Sequence, residues 1–251
     1  MKKISTSVKV PAANKLFKYS FMRKSNQLAP HLPETHKLTP ISFENMIKKY
    51  GSVIVKPINS RGGFGVIQVT PWKNHYFQIH IETSKTLVYG LETAYRDIQK
   101  LIGTRKYIIQ RRIPLPKIND RPFDMRIIVQ RKKNSNVWAV TGRAAKVAGK
   151  GYFVTNNTRS KGKMLPVETA IQASTLRNFS SKALLSKIKH VALLSAKRLQ
   201  SLFPHHRIYG LDIGFDQHGH VWIIEANLFP ALSHFRKLGD MNMYRRIIVY
   251  R

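Results

Sequence analysis

Three oxygen-bearing side chains, Asp212, Glu225 and Asn227, have the types and spacing of a divalent-cation site. Side chains in a strand alternate between faces, so Glu225 and Asn227 point the same way. Tyr209–Phe215 and His220–Asn227 read as a hairpin around Asp216-Gln-His-Gly219, a turn that can bring Asp212 opposite them. Two carboxylates and an amide oxygen form a hard donor set suited to Mg²⁺, with nucleotide phosphates and water supplying the other ligands. Ile213, Ile223 and Ile224 are expected to line the patch. The plainer alternative is a hairpin with polar residues on its wet face. Asp and Glu total only 12 in 251 residues, so a patterned pair of acids stands out.

Other segments offer anion-binding chemistry. Lys56 ends a β-branched strand, Ser52–Lys56, and Ser60-Arg-Gly-Gly-Phe-Gly65 follows as a turn before a strand over Val66–Thr70. A lysine there neutralises phosphate oxygens as a point charge, and Gly62, Gly63 and Gly65 let backbone N–H groups approach them. The spacing is neither a P-loop nor a dinucleotide fingerprint, because no helix opens after it. Taken alone, such a segment is more often an ordinary turn. Asp124 and Arg126 share one face of a strand over Phe123–Gln130, with Phe123, Met125 and Ile127 on the other. They suit either a ribose hydroxyl and an anion or an ordinary ion pair within a sheet. Arg143, in Thr141–Lys146, and Asn156 or Asn157, in Thr155–Asn157, are further anion-binding candidates. The ten histidines show no ligand spacing.

The elements that must position these groups are mixed. Helices are expected over Asn14–Lys24, from a Ser42 cap to Tyr50, over Leu91–Ile102, and from Ser180 or Ser181 to Phe203. A short strand falls at Tyr107–Gln110 and a longer one at Val137–Val147, so the class is α+β. At 43% hydrophobic, the chain can bury a core. There is no cysteine, hence no disulfide framework or thiolate metal site. No apolar run reaches membrane-spanning length, and no apolar stretch follows the basic Met1-Lys-Lys-Ile-Ser5, so neither a transmembrane segment nor a signal peptide is expected.

In order, these pieces resemble the ATP-grasp superfamily, most closely the YheC/YheD-type endospore coat-associated proteins. The resemblance is carried by LPETHKLT, VIVKP, SRGGFGV, YIIQRRIPL, RPFDMRIIVQ, WAVTGRAAKVA, FVTNN and YGLDIGFDQHGHVWIIEAN, from Lys15 to about Phe235. It implies two α+β subdomains holding ATP between sheets. A basic leader at 1–12 would precede an ATP-grasp domain at 13–251, with a nucleotide-lid subdomain at about 40–106 and a metal-binding subdomain at about 107–240. It also implies roles. Lys15 and Lys56 contact phosphates, the Gly62, Gly63 and Gly65 loop closes over them, Gln110, Arg111 and Ile113 form the adenine hinge, and Asp124 meets the ribose. Arg126, Arg143 and Asn157 hold the transferring phosphate or acyl substrate, and Asp212, Glu225 and Asn227 bind Mg²⁺, or Mn²⁺ in its place. The implied reaction joins a carboxylate to an amine through an acyl phosphate. Three departures stand out. The usual preATP-grasp domain is expected to be missing or vestigial, Thr158-Arg-Ser-Lys-Gly162 replaces a Gly-Gly pair, and Ala231 stands where glycine is common.

Lys and Arg number 44, giving a formal charge of +32, which raises a field that attracts anionic partners. An acidic peptide or polymer substrate is one expectation, in a cytoplasmic or spore coat-associated setting. The rival reading is a non-catalytic basic coat or polyanion-binding protein that keeps the fold. A nucleic-acid module is weaker, because no recognition helix or aromatic single-strand motif is evident.

Overall fold

A computed structural model describes residues 14–60, 62–236 and 238–250; the basic leader at 1–12 lies outside the described residues. The chain begins with helix α1 (Lys15–Arg23), capped by the Asn14 side chain, which accepts from the Phe17 amide at 2.9 Å. Strand β1 (Thr35–Lys37) and helix α2 (Pro40–Tyr50) follow. The cap of α2 is Thr39, not Ser42. Pro40 is pre-set for the first helical position, so the helix starts three residues earlier than a Ser42 cap implies and Ser42 becomes the reciprocal member of a capping box.

The first sheet is completed by β2 (Val53–Pro57), β3 (Ile67–Pro71), β4 (Tyr76–Ile81), β5 (Ser84–Tyr89) and, after helix α3 (Leu91–Ile102), β6 (Tyr107–Arg111). Its order is β1-β6-β2-β3-β4-β5, antiparallel throughout. Residues 107–111, read from sequence with the larger lobe, are thus hydrogen-bonded into the first sheet. Period-2 alternation gives the sheet two faces. Val53, Val55, Val69 and Ile109 are fully buried against α2 and α3, whose Phe43, Ala94 and Ile98 complete that core. Ile54, Lys56, Gln68, His80 and Gln110 point the other way, into a cleft.

The second sheet contains β7 (Lys117–Ile118), β8 (Arg121–Gln130), β9 (Ala139–Val147), β10 (Lys163–Leu165), β11 (Ile208–Phe215) and β12 (Val221–Asn227), in the order β10-β9-β8-β11-β12 with β7 beside β8. One face packs on helix α6 (Ser181–Gln200) and on α1. Leu184, Ile188, Val191 and Leu199 form the buried stripe of α6, and Phe123, Met125 and Ile127 meet it from β8. The short helices α4 (Asn157–Ser160) and α5 (Val167–Gln172) connect β9, β10 and α6, and α7 (Ser233–Arg236) and α8 (Met241–Val249) end the chain. Phe235, Met243 and Ile247 cover Ile128 and Ala144, closing one end of the sheet's other face. The uncovered end of that face looks across at the first sheet. No helix among the described residues is long and apolar enough to cross a membrane.

Candidate functional site

The hairpin β11–β12 brings its oxygen donors together by register. Asp212 pairs with Glu225 and Gly210 with Asn227. A bulge between Asp212 and Ile213 leaves one extra residue on β12. Strict alternation would put Ile223 and Glu225 on one face. The bulge breaks that parity, so Ile223, Ala226 and Leu228 enter the large core while Ile224, Glu225 and Asn227 face the cleft. The expected isoleucine lining is corrected accordingly: Ile213 and Ile223 are core residues and only Ile224 lines the site.

Behind Asp212 lies a buried row of alternating charges. Arg126 grips Asp212 with two N–H groups, Nε to Oδ1 at 2.7 Å and Nη2 to Oδ2 at 3.2 Å. Lys146 Nζ lies 2.8 Å from Asp212 Oδ1 and 3.1 Å from Asp124 Oδ1. The Thr155 hydroxyl donates to Asp124 Oδ2 at 2.6 Å. Strand register creates this row, with Asp212 opposite Arg126 and Asp124 opposite Lys146. Burial alone would push the Asp212 carboxyl up, but Arg126 and Lys146 outweigh it and hold the group well below the usual carboxylate range. Burial raises Asp124, against the pull of Lys146. Burial would discharge Lys146, yet the two carboxylates push its pKa above the ordinary value.

The cleft has a volume of about 400 Å³. Across it from the acids, Lys56 Nζ donates to Gln110 Oε1 at 2.7 Å and to the Ile224 carbonyl at 3.3 Å, tying the two sheets together. Burial pushes Lys56 down to about 8. Gly62 and Gly63 line the cleft with φ of 70° and 74°. A Cβ on Gly63 would sit 2.8 Å from Val154 Cγ1, so glycine is required by both backbone and space. Gly65 supports the loop from outside the lining, where a Cβ would meet the Tyr107 hydroxyl at 2.6 Å. Gln110, Arg111 and Ile113 line the cleft where the chain passes between sheets. Lys15 is set back in a small adjoining pocket, donating to Ser60 and facing Glu225 at 3.9 Å.

One expected role meets a different geometry. Arg143 and Lys146 are three residues apart on one strand and therefore face opposite sides. Arg143 is not at the cleft; it pairs with Glu168 of α5 at 2.6 Å, both side chains nearly half exposed. Such surface pairs contribute about 0–1 kcal/mol. Arg143→Ala is therefore expected to leave nucleotide-dependent stabilisation in thermal melts unchanged. Asp124 lines the cleft and is 4% exposed; Thr155 donates to its Oδ2 and Lys146 Nζ lies 3.1 Å from its Oδ1, so a ribose hydroxyl would share this carboxylate with an ion pair. The Asn157 side chain lies outside the described residues, and Asn156 caps α4 by accepting from the Arg159 amide at 2.9 Å. Lys146 is the functional candidate that sequence reasoning missed.

Among the described residues no group of three His, Cys, Asp or Glu side chains converges as a metal cage. The donor set still fits a hard cation. Asp212 keeps one lone-pair site on Oδ2, Glu225 meets only the distant Lys15, and Asn227 lies on the same face. Mg²⁺ is held in this way by one or two carboxylates, with substrate phosphates completing the shell.

Two antiparallel sheets facing across such a cleft have the fold of ATP-grasp ligases. The chain is similar to D-alanyl-alanine synthetase A from Vibrio cholerae, at 14% identity and a TM-score of 0.56, over 94% of this chain and 62% of that one. It is also similar to N5-carboxyaminoimidazole synthase from Aspergillus clavatus, at 11% identity and a TM-score of 0.52, over 88% of this chain and 45% of that one. More narrowly, the chain belongs to the YheC/D like ATP-grasp family, whose sequence model matches residues 7–250. Two relatives from Bacillus subtilis are the endospore coat-associated proteins YheD, 26% identical over 249 residues (93% of this chain, 53% of that protein), and YheC, 23% identical over 226 residues (84% and 58%). The chain thus spans about half the length of the curated relatives it matches.

Proposed function

We propose that the cleft binds ATP with Mg²⁺ and that the protein is an ATP-dependent ligase joining a carboxylate to an amine or related nucleophile through an acyl phosphate. The observation that carries this reading is the pairing of Asp212 with Glu225 on one wall, opposite Lys56 and the Gly62–Gly63 turn on the other. Gln110, Arg111 and Ile113 flank the base, and Lys56 and the glycine amides receive phosphate oxygens. Asp212, Glu225 and Asn227 hold the cation, which when bound neutralises charge on the phosphates. Arg126 and Lys146 fix Asp212, and Arg126 presents positive charge beside the transferring phosphoryl group. Positioning and charge stabilisation are what such a site contributes to phosphoryl transfer. The relatives' names support an action at the endospore coat, and the +32 charge favours an acidic peptide or polymer as substrate. That charge also supports a second reading, a basic polyanion-binding protein without turnover. Release of ADP on adding candidate acids and amines supports the ligase; tight nucleotide binding with no ADP release under any pairing supports the second reading.

Lys56 adds a pH dependence. Its folded pKa, about 8, lies below the unfolded value, so burying the charged form destabilises the fold below pH 8, and that penalty is relieved as pH rises toward the unfolded pKa. Nucleotide affinity should run the other way, weakening above about pH 8 as the ammonium is lost. Lys56→Arg should remove that dependence in equilibrium binding measured between pH 7 and 9.5.

A further inference from the structure

Lys146 Nζ bridges two carboxylates that would otherwise repel, Asp212 at 2.8 Å and Asp124 at 3.1 Å. A carboxylate offers about four lone-pair sites. On Asp212, Oδ1 accepts from both Arg126 Nε and Lys146 and is full, while Oδ2 accepts only from Arg126 Nη2. Three acids surround this point, Asp124, Asp212 and Glu225, against four cations, Lys15, Lys56, Arg126 and Lys146. A free divalent cation would enter a partly dry region already carrying excess positive charge, and Mg²⁺ gives up its water reluctantly. A ligand bearing phosphates brings several negative charges and reverses the balance.

We propose that Lys146 is the resident counter-cation of the Asp124–Asp212 pair and makes divalent-cation binding conditional on a phosphate-bearing ligand. The inference rests on the nucleotide reading above and adds an order to it: the cation arrives with the nucleotide or after it. Lys146 acts through the carboxylates and is a positioning residue. Removing its charge while keeping its apolar stem frees a lone pair on Asp212 Oδ1 and brings the local balance to neutral.

The test measures Mn²⁺ binding by electron paramagnetic resonance or calorimetry, with and without ADP. Wild type should bind Mn²⁺ weakly alone and about tenfold or more tightly with ADP. Lys146→Met should bind Mn²⁺ alone about tenfold more tightly than wild type, and Lys146→Arg should behave as wild type. Equal Mn²⁺ affinity in wild type and a folded Lys146→Met overturns the assignment. So does wild-type Mn²⁺ binding that is tight without ADP and unchanged by it, a result that decides the matter even if Lys146→Met does not fold. Failure of the nucleotide reading looks different: wild type binds no ADP at any Mn²⁺ concentration. The metal-only comparison of wild type with Lys146→Met then still decides the role of Lys146.

Discussion

Asp212→Ala is expected to lower the unfolding free energy by about 3–5 kcal/mol, the usual cost of removing one partner from a buried ion pair. The substitution leaves Arg126 and Lys146 facing each other with Asp124 as their nearest acid. Both cations are held charged by Asp212, and water cannot replace it fully, because Lys146 and Asp124 are almost completely enclosed. Chemical denaturation should show the loss as a lower midpoint with an unchanged slope. Asp212→Asn should cost less, since an amide oxygen in the place of Oδ1 still accepts two of the three hydrogen bonds. Either variant should also lose nucleotide-dependent stabilisation, so Asp212 serves fold and site together.

Glu225→Gln separates the two. Glu225 is partly exposed, and among the described residues its ion-pair partner is Lys15, at 3.9 Å. Its contribution to folding is therefore small, within about 1 kcal/mol. Its contribution to cation binding is direct under the proposed function. Changing groups that merely support metal ligands costs roughly 10–100-fold in metal affinity, and a ligand itself should cost at least the upper end of that range. Glu225→Gln should thus melt like wild type without nucleotide while losing roughly 100-fold in Mg²⁺-dependent ADP affinity. Equal ADP affinity in the two proteins would remove Glu225 from the metal site.

Much of this site was legible because a strand's period is short. Alternation in Val53–Lys56 and Phe123–Ile127 separates core from cleft, and the Asp216–Gly219 turn sets the hairpin that pairs Asp212 with Glu225. What stayed hidden depends on register between distant segments. The β12 bulge falls within an Ile-Ile pair whose composition carries no sign of it. Lys146 sits between alanine and valine on its own strand, and its partner Asp212 is 66 residues away. The orientation of Arg143 follows from that of Lys146, three positions along the same strand, so the two stayed hidden together. Strand β5 escaped notice because it is an edge strand with an almost wholly exposed pattern and no apolar alternation.

The cleft's affinity for Mg·ATP is the quantity on which the account stands. Thermal melts of the wild-type chain with rising ATP or ADP, with and without Mg²⁺, measure it directly. The expected result is a melting temperature that climbs with nucleotide only when Mg²⁺ is present, reaching about 2.7 kcal/mol of stabilisation at a hundredfold excess over Kd. A melting temperature unmoved by millimolar nucleotide and Mg²⁺ would contradict it, and a basic protein with an ATP-grasp fold but no nucleotide chemistry would be left.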